Sequence, residues 1–207
     1  MPDDLFNARF LAVLEGLVTA HHALYPKIPP RDIFFESLVE RAYRKSQYTG
    51  IVRTTPNSPQ SDIWVDNRRI SLKTESGKST RLAHISITKL CTTEKEPWDG
   101  ETLIAHVLAH LSRYEHILML RAVWLNPILI HYQLLDIPVD LLRKIENLTV
   151  SRVGKREGRG SLAGDLFDEE GKICRIVFDG SDGKCQVHQL PVARCHMLLD
   201  WDQPLED

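Results

Sequence analysis

Ser61-Asp62-Ile63-Trp64-Val65-Asp66-Asn67-Arg68-Arg69-Ile70-Ser71-Leu72-Lys73-Thr74-Glu75 reads as two short strands joined by a turn. Asp62 opens Ile63-Trp64-Val65, Asp66-Asn67 makes the turn, and Ile70-Ser71-Leu72-Lys73 alternates as the return strand. Antiparallel pairing sets the two strands ~5 Å apart, so Asp62 and Lys73 share one edge of a sheet. A lysine buried next to acids and a metal is otherwise expensive. The carboxylate suits a hard divalent cation, and the lysine can orient a water or steady negative charge on phosphorus. Phosphodiester hydrolysis needs both.

Outward from this hairpin, apolar residues at 6, 10, 13, 14, 17 and 18 predict an amphipathic helix over residues 5–24, ended by Pro26, Pro29 and Pro30. Asp32 is placed to cap a second helix running to about Ser46, with Phe34, Phe35, Leu38 and Ala42 as its apolar face. Glu36 and Glu40 lie four apart and project from one side of it. Residues 54–61 are turn-rich and polar. Beyond the hairpin a strand is expected at 83–90, a helix from Asp99 or Thr102 to about Tyr114, strands at 117–124 and 128–135, and a helix at 139–147. A glycine-rich polar segment follows, then a hairpin pairing 173–178 with 185–190. Helices first, then strands broken by one long helix, indicate a mixed α/β fold with a central sheet.

The chain of 207 residues is 43% hydrophobic and 26% charged, enough for one self-supporting domain. No apolar run approaches the ~20 residues of a membrane helix. The acidic opening Met1-Pro2-Asp3-Asp4 is unlike a signal peptide, and Cys91, Cys174, Cys185 and Cys195 form no CxxC pair. A cytoplasmic protein with reduced thiols is expected. Net charge is −2, yet Arg68, Arg69, Lys73, Lys78 and Arg81 make one basic patch and Arg152, Lys155, Arg156 and Arg159 another. Such a distribution suits a protein that meets a polyanion on one face.

Asp62 with Ser71-Leu72-Lys73 on a hairpin, after a helix carrying Glu36 and Glu40, resembles the PD-(D/E)XK nuclease superfamily, most closely its type II restriction endonucleases. The later segments Ile85-Ser86-Ile87, His110-Leu111-Ser112-Arg113-Tyr114 leading into Ile117-Leu118-Met119-Leu120-Arg121, and Tyr132-Gln133-Leu134-Leu135-Asp136-Ile137-Pro138 agree in kind, so the likeness spans residues 30–145. It departs in two places: Ser61 stands where the family has Pro, and Ser71 where it has an acid. The resemblance implies a restriction-endonuclease-like mixed sheet flanked by helices, and Mg²⁺-dependent hydrolysis of double-stranded DNA at a short specific sequence. Asp62 would hold the metal with Leu72 giving a backbone carbonyl, and Lys73 would poise the water. Glu40 or Glu75 would stand in for the missing acid, with Glu36 behind them. A homodimer is the natural way to cut both strands of a symmetric site. The three stretches 1–50, 51–150 and 151–207 would be a helical part, the catalytic core and a basic DNA-contacting part of one domain. A repair or mobile-element nuclease of the same fold, or a DNA-binding module that has lost catalysis, are the alternatives.

For DNA contact the candidates are Lys78 and Arg81 after the hairpin, and Arg152, Lys155, Arg156 and Arg159 in the glycine-spaced segment, where backbone can approach phosphates and arginine can reach guanine. His106 and His110 have HxxxH spacing but lack the accompanying Glu or Cys of a zinc site, and are read as helix-face histidines. Asp165, Asp168, Glu169 and Glu170 are read as a solvated acidic turn.

Overall fold

Asn7 sets the start of the first helix, its Oδ1 accepting the Phe10 N–H at 2.9 Å. The structure, a computed structural model, describes residues 4–53, 62–93, 95–154 and 159–205. Helix α1 (Ala8–Leu24) buries Phe10, Leu14 and Val18, the expected 3–4 spacing. Helix α2 (Asp32–Lys45) differs from expectation in two respects. Arg31, not Asp32, is its N-cap and makes no side-chain cap bond; Asp32 lies in the first turn with φ 42°. The buried residues are Phe35, Val39, Ala42 and Tyr43, whereas Phe34 is 49% exposed. The Tyr43 ring stacks on Phe10 with centroids 4.1 Å apart, and this contact turns the helix about one residue from the face predicted.

These helices cover one face of a six-stranded sheet. Its strands are β1 (Val52–Arg53), β2 (Ile63–Val65), β3 (Arg68–Glu75), β5 (His116–Asn126), β6 (Leu129–Pro138) and β11 (His196–Pro204), neighbouring in the order β1-β2-β3-β5-β6-β11. β3 and β5 run parallel, while β2–β3 and β6–β11 are antiparallel, so the sheet is mixed. Ile70 and Leu72 of β3 enter the core with Leu118, Leu120, Tyr132, Phe35 and Phe10. By the period of two, Ser71, Lys73 and Glu75 belong to the opposite face. Strand β11 was not anticipated, although Leu199-Asp200-Trp201-Asp202 alternates strictly between apolar and acidic residues.

A second sheet is antiparallel throughout. It comprises β4 (His84–Thr92), β7 (Ser151–Val153), β8 (Ser161–Asp168), β9 (Gly171–Asp179) and β10 (Lys184–Pro191) in the order β4-β10-β9-β8-β7. Helices α3 (Gly100–Leu111), capped by Asp99, and α4 (Val139–Arg143) accompany it. The hairpin expected at 173–190 is present as β9 and β10, with Asp179 opposite Lys184. Within the glycine-rich segment lies β8, paired with β7 immediately before it. Gly164 stands within β8 because the Thr149 carbonyl oxygen comes within 2.3 Å of where a Cβ would lie. In the acidic turn Glu169 and Glu170 are exposed as expected, but Asp165 and Asp168 are engaged by basic side chains. Asp168 receives Arg194 and, at 2.8 Å, Lys144, while Asp165 pairs with Lys172 and Arg175. The basic side chains hold the Asp168 carboxyl far below the usual carboxylate range.

The chain divides into two compact units. One gathers Met1–Thr80, Tyr114–Ile137 and His196–Asp207, the other Arg81–Arg113 and Pro138–Cys195. Both therefore cut across the sequential parts 1–50, 51–150 and 151–207.

Two measurements follow from this packing. Gly164→Ala forces a methyl against the Thr149 carbonyl and should cost about 1–3 kcal/mol; a variant that melts with its parent refutes the close approach. The second concerns His21 and His22, both buried beneath the proline-rich connection. His22 Nδ1 donates to the Pro26 carbonyl at 3.0 Å, and its Nε2 shares a hydrogen bond of 2.7 Å with the Tyr132 hydroxyl. His21 Nε2 donates to the Ile28 carbonyl at 3.0 Å. Burial lowers the pKa of both below 6.5. The unfolded chain therefore binds protons that the folded chain refuses, and stability should be complete above pH 6.5 and decline as the pH falls below it. Urea unfolding of the parent and of the His21→Gln/His22→Gln double variant at pH 7.5 and 5.5 checks this: the parent should lose more of its stability than the variant does.

Candidate active site

The two-residue turn Asp66-Asn67 has φ 48° and 68°, the left-handed pair that a tight hairpin demands. It pairs Val65 with Arg68 and Ile63 with Ile70, and so sets what stands opposite Asp62. The Asp62 N–H donates to the Ile70 carbonyl at 3.1 Å. Its Oδ2 accepts the Leu72 N–H at 2.6 Å and the Ser71 hydroxyl at 3.1 Å. Lys73 Nζ in turn donates to Ser71 Oγ at 2.9 Å. Lysine, serine and aspartate thus form one hydrogen-bonded chain, with Ser71 at its centre and buried.

Leu72 belongs to the same arrangement through its backbone. The N–H and C=O of a strand residue point to the same side, and the Leu72 N–H points to Asp62. Pairing of β2 with β3 stops at Ile70, so the Leu72 carbonyl is directed to the sheet edge that Asp62 occupies. A carboxylate and a carbonyl at one edge are hard oxygen donors of the kind Mg²⁺ takes, an ion that keeps several waters and needs only one or two carboxylates. Among the described residues no group of three His, Cys, Asp or Glu side chains is gathered closely enough to hold a metal ion.

The candidate second acids are each paired with arginine. Glu75 Oε2 accepts Arg121 Nε at 2.7 Å. Glu40 Oε1 accepts both Nε and Nη2 of Arg44, at 3.0 and 2.8 Å, and its Oε2 lies 3.8 Å from Arg53. Glu36 Oε2 accepts Arg53 Nη2 at 2.8 Å. The sequence reading missed Arg121, which is fully buried on β5 in register with Glu75 and also donates to Gln133 Oε1. The signal was present as a lone charge within the apolar run Ile117-Leu118-Met119-Leu120-Arg121-Ala122-Val123.

Of the DNA-contact candidates, Lys78, Arg81 and Arg152 are exposed. Lys155 and Arg156 lie outside the described residues. Arg159 is engaged within its own unit: its guanidinium covers Trp98 at 4.1 Å, and Nη2 donates to the Thr93 and Glu96 carbonyls at 3.0 and 3.3 Å. The Trp98 indole N–H donates to the Gly160 carbonyl at 2.7 Å, closing the clamp from the other side. His106 binds the Thr92 carbonyl and the Glu96 carboxylate, a helix-face role. No helix among the described residues is long and apolar enough to cross a membrane, and all four cysteines are free thiols.

Compared with known proteins, residues 2–203 match the family model SmaI, type II site-specific deoxyribonuclease. Over 209 residues the chain is 28% identical to the type II restriction enzyme SmaI of Serratia marcescens, covering 96% of this chain and 81% of that protein. A solved restriction endonuclease in complex with substrate DNA is similar over 75% of each chain, at 18% identity and a TM-score of 0.41. With the family match running through both sheets and the Asp62–Lys73 hairpin, this chain belongs to the SmaI family of type II site-specific deoxyribonucleases.

Proposed function

We propose that the chain is a PD-(D/E)XK endonuclease that hydrolyses both strands of DNA at a short specific sequence with Mg²⁺. The hydrogen-bonded chain from Lys73 through Ser71 to Asp62 is the observation that carries this reading. Asp62 and the Leu72 carbonyl would hold the ion, with Glu75 or Glu40 as the second acid. When bound, Mg²⁺ lowers the pKa of a coordinated water and offsets charge on the phosphate. Lys73, pinned by the Ser71 hydroxyl, would orient the attacking water and stabilise the negative charge that gathers on phosphorus. Ser71 replaces an acid with a hydroxyl that accepts from the lysine and donates to the aspartate, so both are held without a further negative charge. The water attacks phosphorus directly and no covalent intermediate forms.

Cutting both strands with one such site per chain favours a homodimer acting on a symmetric sequence. Lys78, Arg81, Arg152, Lys155 and Arg156 are the proposed DNA contacts, and the cytoplasm is the proposed compartment. Arg159 leaves this set because its guanidinium is taken up by Trp98 and two carbonyls.

If Lys73 orients the nucleophile, Lys73→Ala should bind specific DNA as the parent does yet cleave at least ~100-fold more slowly. Cleavage within a few fold of the parent, or parental cleavage persisting in EDTA, would remove this mechanism. Arg156→Ala tests recognition separately. A lost guanine contact costs ~1–3 kcal/mol at one base pair and relaxes choice there, whereas a lost phosphate contact weakens all sequences and lowers the salt slope by about one. Affinities for cognate and single-mismatch duplexes at two salt concentrations distinguish them. Parental binding throughout would place recognition elsewhere.

A further inference from the structure

A guanidinium with no exposure to solvent needs a reason to be there. Arg121 occupies a β5 position whose neighbours on the same face, Met119 and Val123, are buried and apolar. A methionine there would fill similar volume without the desolvation that a buried charge suffers. The side chain is nevertheless held at two points. Its Nε donates to Glu75 Oε2 at 2.7 Å, and its Nη1 donates to Gln133 Oε1 on β6. Gln133 is itself buried, so an uncharged amide fixes the orientation of the guanidinium while its charge is directed to Glu75.

Glu75 differs in this from the other candidate. Glu40, with its side chain 23% exposed, is paired chiefly with the exposed Arg44 four residues on along the same helix. Glu75 is on the strand that carries Ser71 and Lys73, on their face by the period of two, with its side chain only 13% exposed. The planar fork of arginine fixes a carboxylate's orientation as a lysine cannot.

We infer that Arg121 is a positioning residue that holds Glu75 as the second acid of the nuclease site. The inference rests on the nuclease reading above. Arg121 fixes the orientation of the Glu75 carboxylate, which would meet the cation together with Asp62. Arg121 itself touches neither DNA nor the reacting atoms.

The test uses the intact chain and two readouts: Mn²⁺ binding to the DNA-free protein, followed by electron paramagnetic resonance of the free ion, and the Mg²⁺ concentration giving half-maximal cleavage. Arg121→Met should weaken Mn²⁺ binding at least ~10-fold and raise the Mg²⁺ requirement in step. Arg121→Lys, which keeps the charge but loses the fork, should recover part of the loss. Glu75→Gln should abolish cleavage and Glu40→Gln should be tolerated. Circular dichroism and melting verify each variant. Should Arg121→Met fail to fold, Gln133→Leu keeps the ion pair, frees the guanidinium to turn, and should weaken Mn²⁺ binding at least ~3-fold. Unchanged or tighter Mn²⁺ binding in the folded Arg121→Met protein, or in Gln133→Leu where that variant is used, overturns the proposal. So does parental cleavage by Glu75→Gln. Asp62→Asn separates the two readings: if it loses Mn²⁺ and cleavage while Arg121→Met keeps both, only the role of Arg121 fails. If Asp62→Asn keeps both, the nuclease site itself has been misplaced.

Discussion

One carboxylate oxygen organises the edge of the larger sheet. Asp62 Oδ2 takes the backbone N–H of Leu72 and the hydroxyl of Ser71, standing where a longer β2 would have supplied a carbonyl. A main-chain donor left unpaired beside a short strand carries a penalty. The aspartate removes it and, in the same act, is drawn over the residues with which it would work. The requirement that ends β2 at Ile63 and the requirement that gathers an acid, a serine and a lysine are met by one side chain. The left-handed turn at Asp66-Asn67 secures the register, since a slip of one residue would send Ser71 and Lys73 to the face packed against α1 and α2.

In both units a charge is held by partners distant in sequence. Asp168 is surrounded by Arg194 and Lys144, and Arg121 is matched by Glu75 and Gln133. In each case a residue of one strand is tied to another far away in sequence, which specifies pairing as well as it contributes stability. The edge strand β11 shows the complementary tactic. Asp200 and Asp202 place negative charge along an open edge, with His131 of β6 close to both, and so discourage pairing with another strand.

Local chemistry made the hairpin legible. Asp-Asn between two alternating runs specifies a tight turn, and the turn alone puts Asp62 opposite residues 71 and 72. The positions of α1, α3 and the β9–β10 pair were readable for the same reason: caps, periodicity and turn residues act within a few positions. What escaped was set by partners distant in sequence. The rotation of α2 follows from Phe10 stacking on Tyr43, and Arg159 is withdrawn by Trp98. Strand β8 was not anticipated because its glycine answers to the Thr149 carbonyl, not to flexibility. The Arg121–Glu75 pair was closed to sequence reasoning because its two members come from different strands.

The order of segments in the larger unit has a consequence for how the protein comes into being. Its strand β3 pairs in parallel with β5, and the sheet is not complete until β11 lies against β6. Between these strands the ribosome must deliver both stretches of the other unit, Arg81–Arg113 and Pro138–Cys195. Pairings so distant in sequence form late. A nascent chain that has emerged only as far as Lys73 holds every residue of the Asp62–Lys73 hairpin, but not the sheet that steadies it. An enzyme of this family cuts DNA, and here the hairpin strand β3 waits for its parallel partner until Arg81–Arg113 has been made.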